Sequence, residues 1–261
     1  MKHNTPKTSS IEKALDIVMA FNPNNLEMGT MELSQELDFH PATVNRILKI
    51  LTRKGFLQQN NQTRKFILGP SVFHLGKTIF QTISGNLLKF AVPYLEDLAE
   101  EQGMTAVLEV KSSRNSIVAY IAQGKSSYLI GPKIGERMPV HAAAGAKIML
   151  AYCDPGMVDT YNSEKWKRFT SKTITDPNIL KLELKKARKQ GVAFCREEMA
   201  MGVNAIAAPV FNHDERYVAS IVVVGLTSSL KCDIKSPVVA ALKRTASKVS
   251  ALNYHPESMK K

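Results

Sequence analysis

The strongest constraint in this 261-residue sequence is a short helix, a tight turn and a second helix, packed into residues 30–53. Residues 31–37 have apolar side chains at helical spacing, and Thr30 is the expected N-cap. His40-Pro41 opens the next helix, where proline is tolerated because its missing N–H is not needed in the first turn. Gly55 is expected to end it. The second helix starts about four residues after the first ends, which is the helix-turn-helix spacing.

A capped helix precedes this pair, and a hairpin follows it. Ser9 and Glu12 form a capping-box pattern, and the helix they open is expected to bury an apolar stripe formed by Ile11, Ala14, Leu15, Val18 and Phe21. Residues 56–59 and 64–69 alternate in polarity around a polar turn, which predicts two antiparallel strands. Three helices and a two-stranded hairpin predict a winged helix, whose tip near residues 63–65 would touch DNA backbone phosphate or the minor groove.

The positive charge is unevenly distributed. The chain carries a formal net charge of +12, and residues 39–95 hold eight Lys or Arg residues with no acid. An ordinary solvated helical face would intersperse acids to form side-chain pairs, so their absence favours a surface that faces phosphate. We therefore predict contact with double-stranded DNA by small or donor-bearing residues of the second helix and the wing: Ala42, Thr43, Asn45, Arg46, Lys49, Arg53, Arg64 and Lys65.

The remainder of the chain predicts a connecting helix and an α+β domain. Residues 70–101 are helical and apolar in pattern, with breaks expected near Gly85 and Pro93, and they are expected to pack against a second copy of the chain. The pattern then predicts strands at 105–110, 116–123, 127–130, 192–195, 205–211 and 217–225, and helices at 140–152, 177–190 and 236–252. Strands in runs with helices at both ends favour a mainly antiparallel sheet. The expected divisions are 1–69 (winged helix), 70–86 (linker), 87–254 (second domain) and 255–261 (tail).

Several classes of protein are disfavoured. The apolar runs are too short to span a bilayer, and the N-terminus has no signal-peptide pattern, so we expect a cytoplasmic protein with no membrane partner. Cys153, Cys195 and Cys232 are too scattered for a disulfide framework or a metal site, and no cofactor is expected. His141 has no triad-like partners, and Glu198 is interpreted as a structural residue that hydrogen-bonds its own loop.

Four stretches resemble the IclR family of bacterial transcription regulators. They are residues 43–48 in the second helix, Phe66-Ile67-Leu68-Gly69 at the end of the wing, Pro139-Val140-His141-Ala142 with Lys147, and the spaced pattern from Gly191 through Cys195 and Glu198 to Asn212. The resemblance implies a winged helix, a helical linker and a GAF-like effector-binding domain. It also implies a homodimer or a dimer of dimers that reads a palindromic operator and responds to a small molecule.

Departures from the family pattern carry further expectations. Ala42 and Asn45 stand where the family usually has serine and histidine, and their methyl and amide groups suit thymine and adenine, so the half-site should be rich in A·T pairs. The pocket positions implied by the resemblance are the amides of Ala144 and Gly145 with the side chains of Cys195, Ala205, Val222 and Val224. The polar side chains that the family has there are replaced. We therefore expect an aromatic or aliphatic effector more apolar than glyoxylate or pyruvate, with one polar end at the two amides.

Two alternatives remain at this point. One is a GAF-fold enzyme or a redox sensor that uses Cys195, with a basic accessory domain; the other is a nonspecific architectural DNA binder. A buried structural role for Cys195 is favoured by its apolar neighbours. An enzyme has no need of the acid-free stretch, and an architectural protein has no need of a second domain with a pocket. The regulator is therefore preferred, acting by an effector-dependent population shift that changes the distance between the recognition helices of a dimer.

Overall fold

The computed structural model describes residues 9–22, 25–80, 83–112, 114–125, 131–153, 155–161 and 166–252. It divides the chain into two compact units, Met1–Thr82 and Ile83–Lys261. The predicted strand at 127–130 and the predicted tail at 255–261 lie outside the described residues.

The first unit is a winged helix. Its elements are α1 (Ser10–Ala20), α2 (Thr30–Leu37), α3 (Pro41–Arg53), β1 (Leu57–Gln59), β2 (Phe66–Leu68) and α4 (Pro70–Phe80). The strands pair antiparallel with Leu57 opposite Leu68. Met28 adds a third segment, because it exchanges both backbone hydrogen bonds with Phe66, at 3.0 and 2.8 Å. The predicted three helices and hairpin are confirmed.

The start of the first unit differs from the prediction in two details. The capping box of Ser9 and Glu12 is present. Ile11 and Leu15, however, are 74% and 59% exposed, and the core-facing stripe contains the fully buried Ile17 instead. The pattern was misassigned because α1 is apolar on two sides. The N-cap of α2 is Gly29 rather than Thr30, and the Gly29 N–H donates to the Glu32 carboxylate.

The second unit is an α+β domain, as predicted. Its elements are α5 (Ile83–Gln102), β3 (Thr105–Ser112), β4 (Asn115–Ala122), β5 (Arg137–Met138), α6 (Ala144–Cys153), a 3-10 turn (Pro155–Thr160), α7 (Pro177–Gln190), β6 (Ala193–Arg196), β7 (Val203–Phe211), β8 (Tyr217–Leu226) and α8 (Pro237–Leu252). The described strands form one six-stranded sheet in the order β5-β4-β3-β8-β7-β6, and each recorded pairing is antiparallel.

Two predicted helix boundaries are wrong. Breaks were expected near Gly85 and Pro93; α4 ends at Phe80 and α5 begins at Ile83, close to the first of these, but α5 runs through Pro93. Proline removes one backbone hydrogen bond, and the burial of Leu87 and Leu95 on either side of it favours the unbroken helix. Helix α6 begins at Ala144 rather than at residue 140, because the N–H groups of the preceding residues bond back to the Pro139 carbonyl in a turn.

The sheet separates two apolar cores. Along β3, Ala106 and Leu108 face a core that contains α5 and α8, whereas Val107 faces one that contains α6 and α7. This alternation is the strand period of two residues. Helices therefore cover both faces, and a side chain's parity along its strand decides which core it joins.

Candidate functional site

The apolar face of α3 is buried, and this burial fixes which side of the helix is exposed. Val44 and Leu48 are fully buried in the core of the first unit, and His40 caps the helix by accepting the Ala42 N–H at 3.3 Å. This anchoring places most of the predicted contact residues on the open side, since five of them are exposed: Ala42, Asn45, Arg46, Lys49 and Arg53. Thr43 is half-buried.

A groove of about 500 Å³ runs beside α3. Asn45, Lys49 and Arg53 line it, together with Thr30, Thr52, Gln59 and Phe66. In the described part of the chain, neither Lys49 nor Arg53 forms an ion pair, and the same is true of Arg46. Their charges are therefore free to meet an anionic partner.

The two predicted wing residues differ from each other. Arg64 is exposed and has a left-handed backbone (φ 60°), with its carbonyl accepting from the Gln59 amide at 2.7 Å. Lys65 instead pairs with Glu32 of α2 at 2.6 Å, and this hydrogen bond lowers the pKa of Glu32. Thr63 similarly donates to Glu27. Sequence reasoning missed these acids because they lie outside the acid-free stretch and reach the wing only through the fold.

The second unit contains a cavity of about 420 Å³. Its lining is mostly apolar and consists of Glu109, Gly131, Pro132, Glu136, Met138, Ala143, Ala144, Cys195, Met199, Ala200, Val203, Asn204, Ala205, Val222 and Val224. Five of the six predicted pocket residues are among these. The sixth, Gly145, is not in the lining but lies against the Glu109 carboxyl: a Cβ added to it would be 2.7 Å from Glu109 Oε1.

Strand register brings these distant positions together. On β8, Val224 lies opposite both Thr105 of β3 and Ala205 of β7. The same pairing sets Glu109 opposite Ser220. Because alternate residues share a face, the odd positions of β3, the even positions of β8 and the odd positions of β7 border the α6 side of the sheet, where the cavity lies.

The expectation that the cavity lacks polar side chains is wrong. The lining includes the carboxyl groups of Glu109 and Glu136, whereas the side-chain amide of Asn204 donates to the Leu230 carbonyl at 2.8 Å. Glu109 is only 2% exposed, and it accepts a hydrogen bond from Ser116 at 2.7 Å. Burial raises the pKa of the Glu109 carboxyl to about 7. The sequence feature that could have revealed Glu109 is a single acid at an inward-facing position of the apolar strand β3. Sequence reasoning missed Glu109 because the family resemblance places the acid of the pocket at position 195, which is a cysteine in this chain.

The other titratable side chains considered as functional candidates, Cys195, Glu198 and His141, are buried in the second unit. Cys195 is 3% exposed, and burial raises its pKa, so the thiol stays protonated and is a poor nucleophile. Glu198 binds the buried Lys147 ammonium through both oxygens at 2.6 Å and also accepts the Arg196 N–H. His141 stacks on Trp166, with ring centroids 5.0 Å apart. No group of three His, Cys, Asp or Glu residues in the described ranges is arranged to hold a metal ion.

No helix among the described residues is both long enough and apolar enough to cross a membrane.

Comparison with known proteins accounts for both units. The family model for the IclR helix-turn-helix domain matches residues 10–61, and the one for the bacterial transcriptional regulator IclR C-terminal matches residues 81–251. The HTH-type transcriptional regulator XynR of Escherichia coli is 29% identical over 85% of this chain and 88% of its own. The regulator BhcR of Paracoccus denitrificans is 32% identical over 84% of this chain and 77% of its own.

Solved structures show the same architecture. An IclR transcriptional regulator from Alicyclobacillus acidocaldarius superposes with a TM-score of 0.78 at 27% identity, covering 94% of this chain and 98% of its own. An IclR homologue from Microbacterium hydrocarbonoxydans, solved with 4-hydroxybenzoate, has a TM-score of 0.79 at 18% identity, covering 94% and 99%. The helix-turn-helix, the effector-type second unit and both family matches lead to one conclusion: the chain belongs to the IclR family and is a DNA-binding transcriptional regulator, not an enzyme.

Proposed function

We propose that this protein binds a palindromic operator in the cytoplasm through α3 and the wing, as a homodimer or a dimer of dimers, and that a small molecule in the cavity controls the binding. The observation that carries this proposal is the exposed outer face of α3. It presents Asn45 and Lys49 beside the groove and leaves Arg46 exposed on the same helix, and no acid pairs with Arg46 or Lys49 among the described residues.

Each predicted contact has a chemical role. The methyl of Ala42 suits thymine, the amide of Asn45 suits adenine, and Arg46 has the donors to reach a base edge or a phosphate. Thr43 can donate its hydroxyl, and Lys49, Arg53 and Arg64 provide charge for the backbone. Lys65 must exchange its ion pair with Glu32 for a phosphate, so its net contribution should be smaller.

A dimer is needed for specificity, because one recognition helix reads too few base pairs and symmetry doubles the site. Helix α4 supports this arrangement. Its Phe73 and Leu75 side chains are 77% and 51% exposed, which leaves apolar surface for a second copy.

The cavity supports a compact effector with an apolar body. Its volume lies within the range of small-molecule sites, and apolar residues such as Met138, Val222 and Val224 form most of its lining. These properties favour a ligand more apolar than glyoxylate or pyruvate. The 4-hydroxybenzoate complex of the Microbacterium relative supports a small-molecule effector in this fold. Binding between β7, β8 and α6 would shift the population of conformers and so the distance between recognition helices in the dimer.

Fluorescence anisotropy with DNA from upstream of the protein's own gene tests the operator proposal. Wild type should bind that DNA in preference to a scrambled sequence, and Arg46→Ala should lose about 1–3 kcal/mol of binding free energy. Arg216→Ala is the matched control, because it removes an exposed arginine from the second unit.

If both DNAs bind weakly and equally, selection from a random DNA library replaces the upstream fragment. The proposal expects a palindromic motif with half-sites rich in A·T pairs. A G·C-rich half-site would contradict the assignment of Ala42 and Asn45, and the absence of any motif would overturn the operator proposal.

A further inference from the structure

The cavity contains an acid supplied by the chain itself. Glu109 lines it from the middle of β3, and its carboxyl lies against Gly145 in the first turn of α6. A helix N-terminus favours negative charge, and the amides of Ala144 and Gly145 were expected to receive the polar end of the effector. Glu109 already occupies the space beside them.

The charges of the lining are unfavourable for an anionic ligand. Glu109 and Glu136 are its ionisable acids, and none of its described residues is Lys, Arg or His. The nearby ammonium of Lys147, on α6, is already bound by both oxygens of Glu198. A carboxylate in this cavity would therefore approach the charge of Glu136 and, whenever it ionises, that of Glu109, with no free cation among the described lining residues to offset them.

The surroundings of Glu109 leave room for one more partner. Ser116 donates to Oε2, and no hydrogen bond to Oε1 is recorded among the described residues. Burial of an unpaired carboxylate is unfavourable, and a cation placed against it removes much of that cost. The pKa of about 7 means that Glu109 ionises readily at neutral pH once a cation is present.

We propose that the effector cavity binds a cationic amine with an aromatic or aliphatic body, its ammonium pairing with Glu109 and its body lying against Val222, Val224 and Ala205. This inference rests on the proposed function in treating the cavity as the effector site, and it replaces the expectation that the polar end of the effector meets the Ala144 and Gly145 amides.

Isothermal titration calorimetry on the full chain tests it with matched probes. Two bodies, a 4-hydroxyphenylmethyl ring and a six-carbon alkyl chain, are each tested with an amine, an alcohol and a carboxylate head group. Wild type should bind at least one amine about tenfold or more tightly than its matched carboxylate, and Glu109→Gln should weaken that amine by about tenfold or more. The alcohols should change little in Glu109→Gln.

Two further variants test whether the loss of amine affinity arises at Glu109 and within the cavity. Glu136→Gln removes an exposed lining acid and should weaken the amine much less than Glu109→Gln. Ala205→Leu fills the cavity without touching the acid and should weaken amine and alcohol alike, which keeps the test informative if Glu109→Gln is unstable.

The proposal is overturned if neither amine binds saturably, if a carboxylate binds as tightly as its amine, or if Glu109→Gln leaves amine affinity unchanged. Operator binding by the same preparations separates this result from the proposed function. Intact operator binding with no amine binding refutes only the ligand class, whereas loss of operator preference in wild type refutes the operator proposal.

Discussion

At the scale of the residue, Glu109 is the least expected feature of the molecule. It stands in an otherwise apolar strand, and its carboxyl is buried between β4 and α6 with Ser116 as its hydrogen-bond donor. Burial without a cation favours the neutral acid, so this position weakens the fold whenever the carboxyl ionises.

Stability should therefore depend on pH through Glu109. The folded pKa is raised from the ordinary 4.5 to about 7, so between these values the folded state binds more protons than the unfolded state. The free energy of unfolding then falls as pH rises through this window, by up to roughly 3 kcal/mol for this group. Glu109→Gln should lack that loss and gain stability relative to wild type from about pH 5 to about pH 8.

Denaturant unfolding of both proteins at several pH values measures this difference. Asp97→Asn is the control, since it removes an exposed acid of α5 that does not line the cavity. Parallel profiles for wild type and Glu109→Gln would show that the carboxyl does not titrate as the structure implies.

At the scale of the element, two helices have apolar side chains that the fold of the chain itself leaves exposed. Helix α1 leaves Ile11, Leu15 and Met19 exposed one turn apart, and α4 leaves Phe73 and Leu75 exposed. Both helices belong to the first unit. Exposed apolar surface of this kind on a helix is typical of an interface.

Phe73→Glu should weaken self-association. The side chain is 77% exposed, so its replacement should leave the fold intact while it removes apolar area and adds like charge on both sides of a symmetric contact. The proposed dimer should dissociate more than about tenfold more readily. Sedimentation velocity over a concentration series measures this, with His74→Glu as the control on the same helix. If the two variants associate as wild type does, α4 is not the interface.

At the scale of the whole molecule, the two units divide the functions. The acid-free residues 39–95 provide eight of the positive charges, and most of the exposed ones lie in the first unit. The buried acid and the cavity lie in the second unit. A ligand that binds one unit can regulate the other only through a change in the population of conformers of the whole chain.

Operator affinity should fall steeply as salt concentration rises, because each phosphate contact releases a counterion. Lys49→Ala should lower the slope of log K against log salt by about 1 and weaken all DNA sequences similarly. Lys248→Ala, which removes an exposed lysine from α8, should leave the slope unchanged. Anisotropy titrations at four or more salt concentrations distinguish the two, and equal slopes for wild type and Lys49→Ala would remove Lys49 from the interface.

The sequence by itself determined the elements, because capping, turn chemistry and apolar period act over a few residues. The winged helix, the antiparallel α+β class of the second unit and five of the six cavity positions followed from local pattern and family resemblance. Tertiary structure alone decided which side of α1 is buried, that α5 passes through Pro93, that Glu32 reaches Lys65, and that Glu109 meets Gly145. Each of these depends on contacts between residues far apart in the chain, where packing and strand register outweigh local preference.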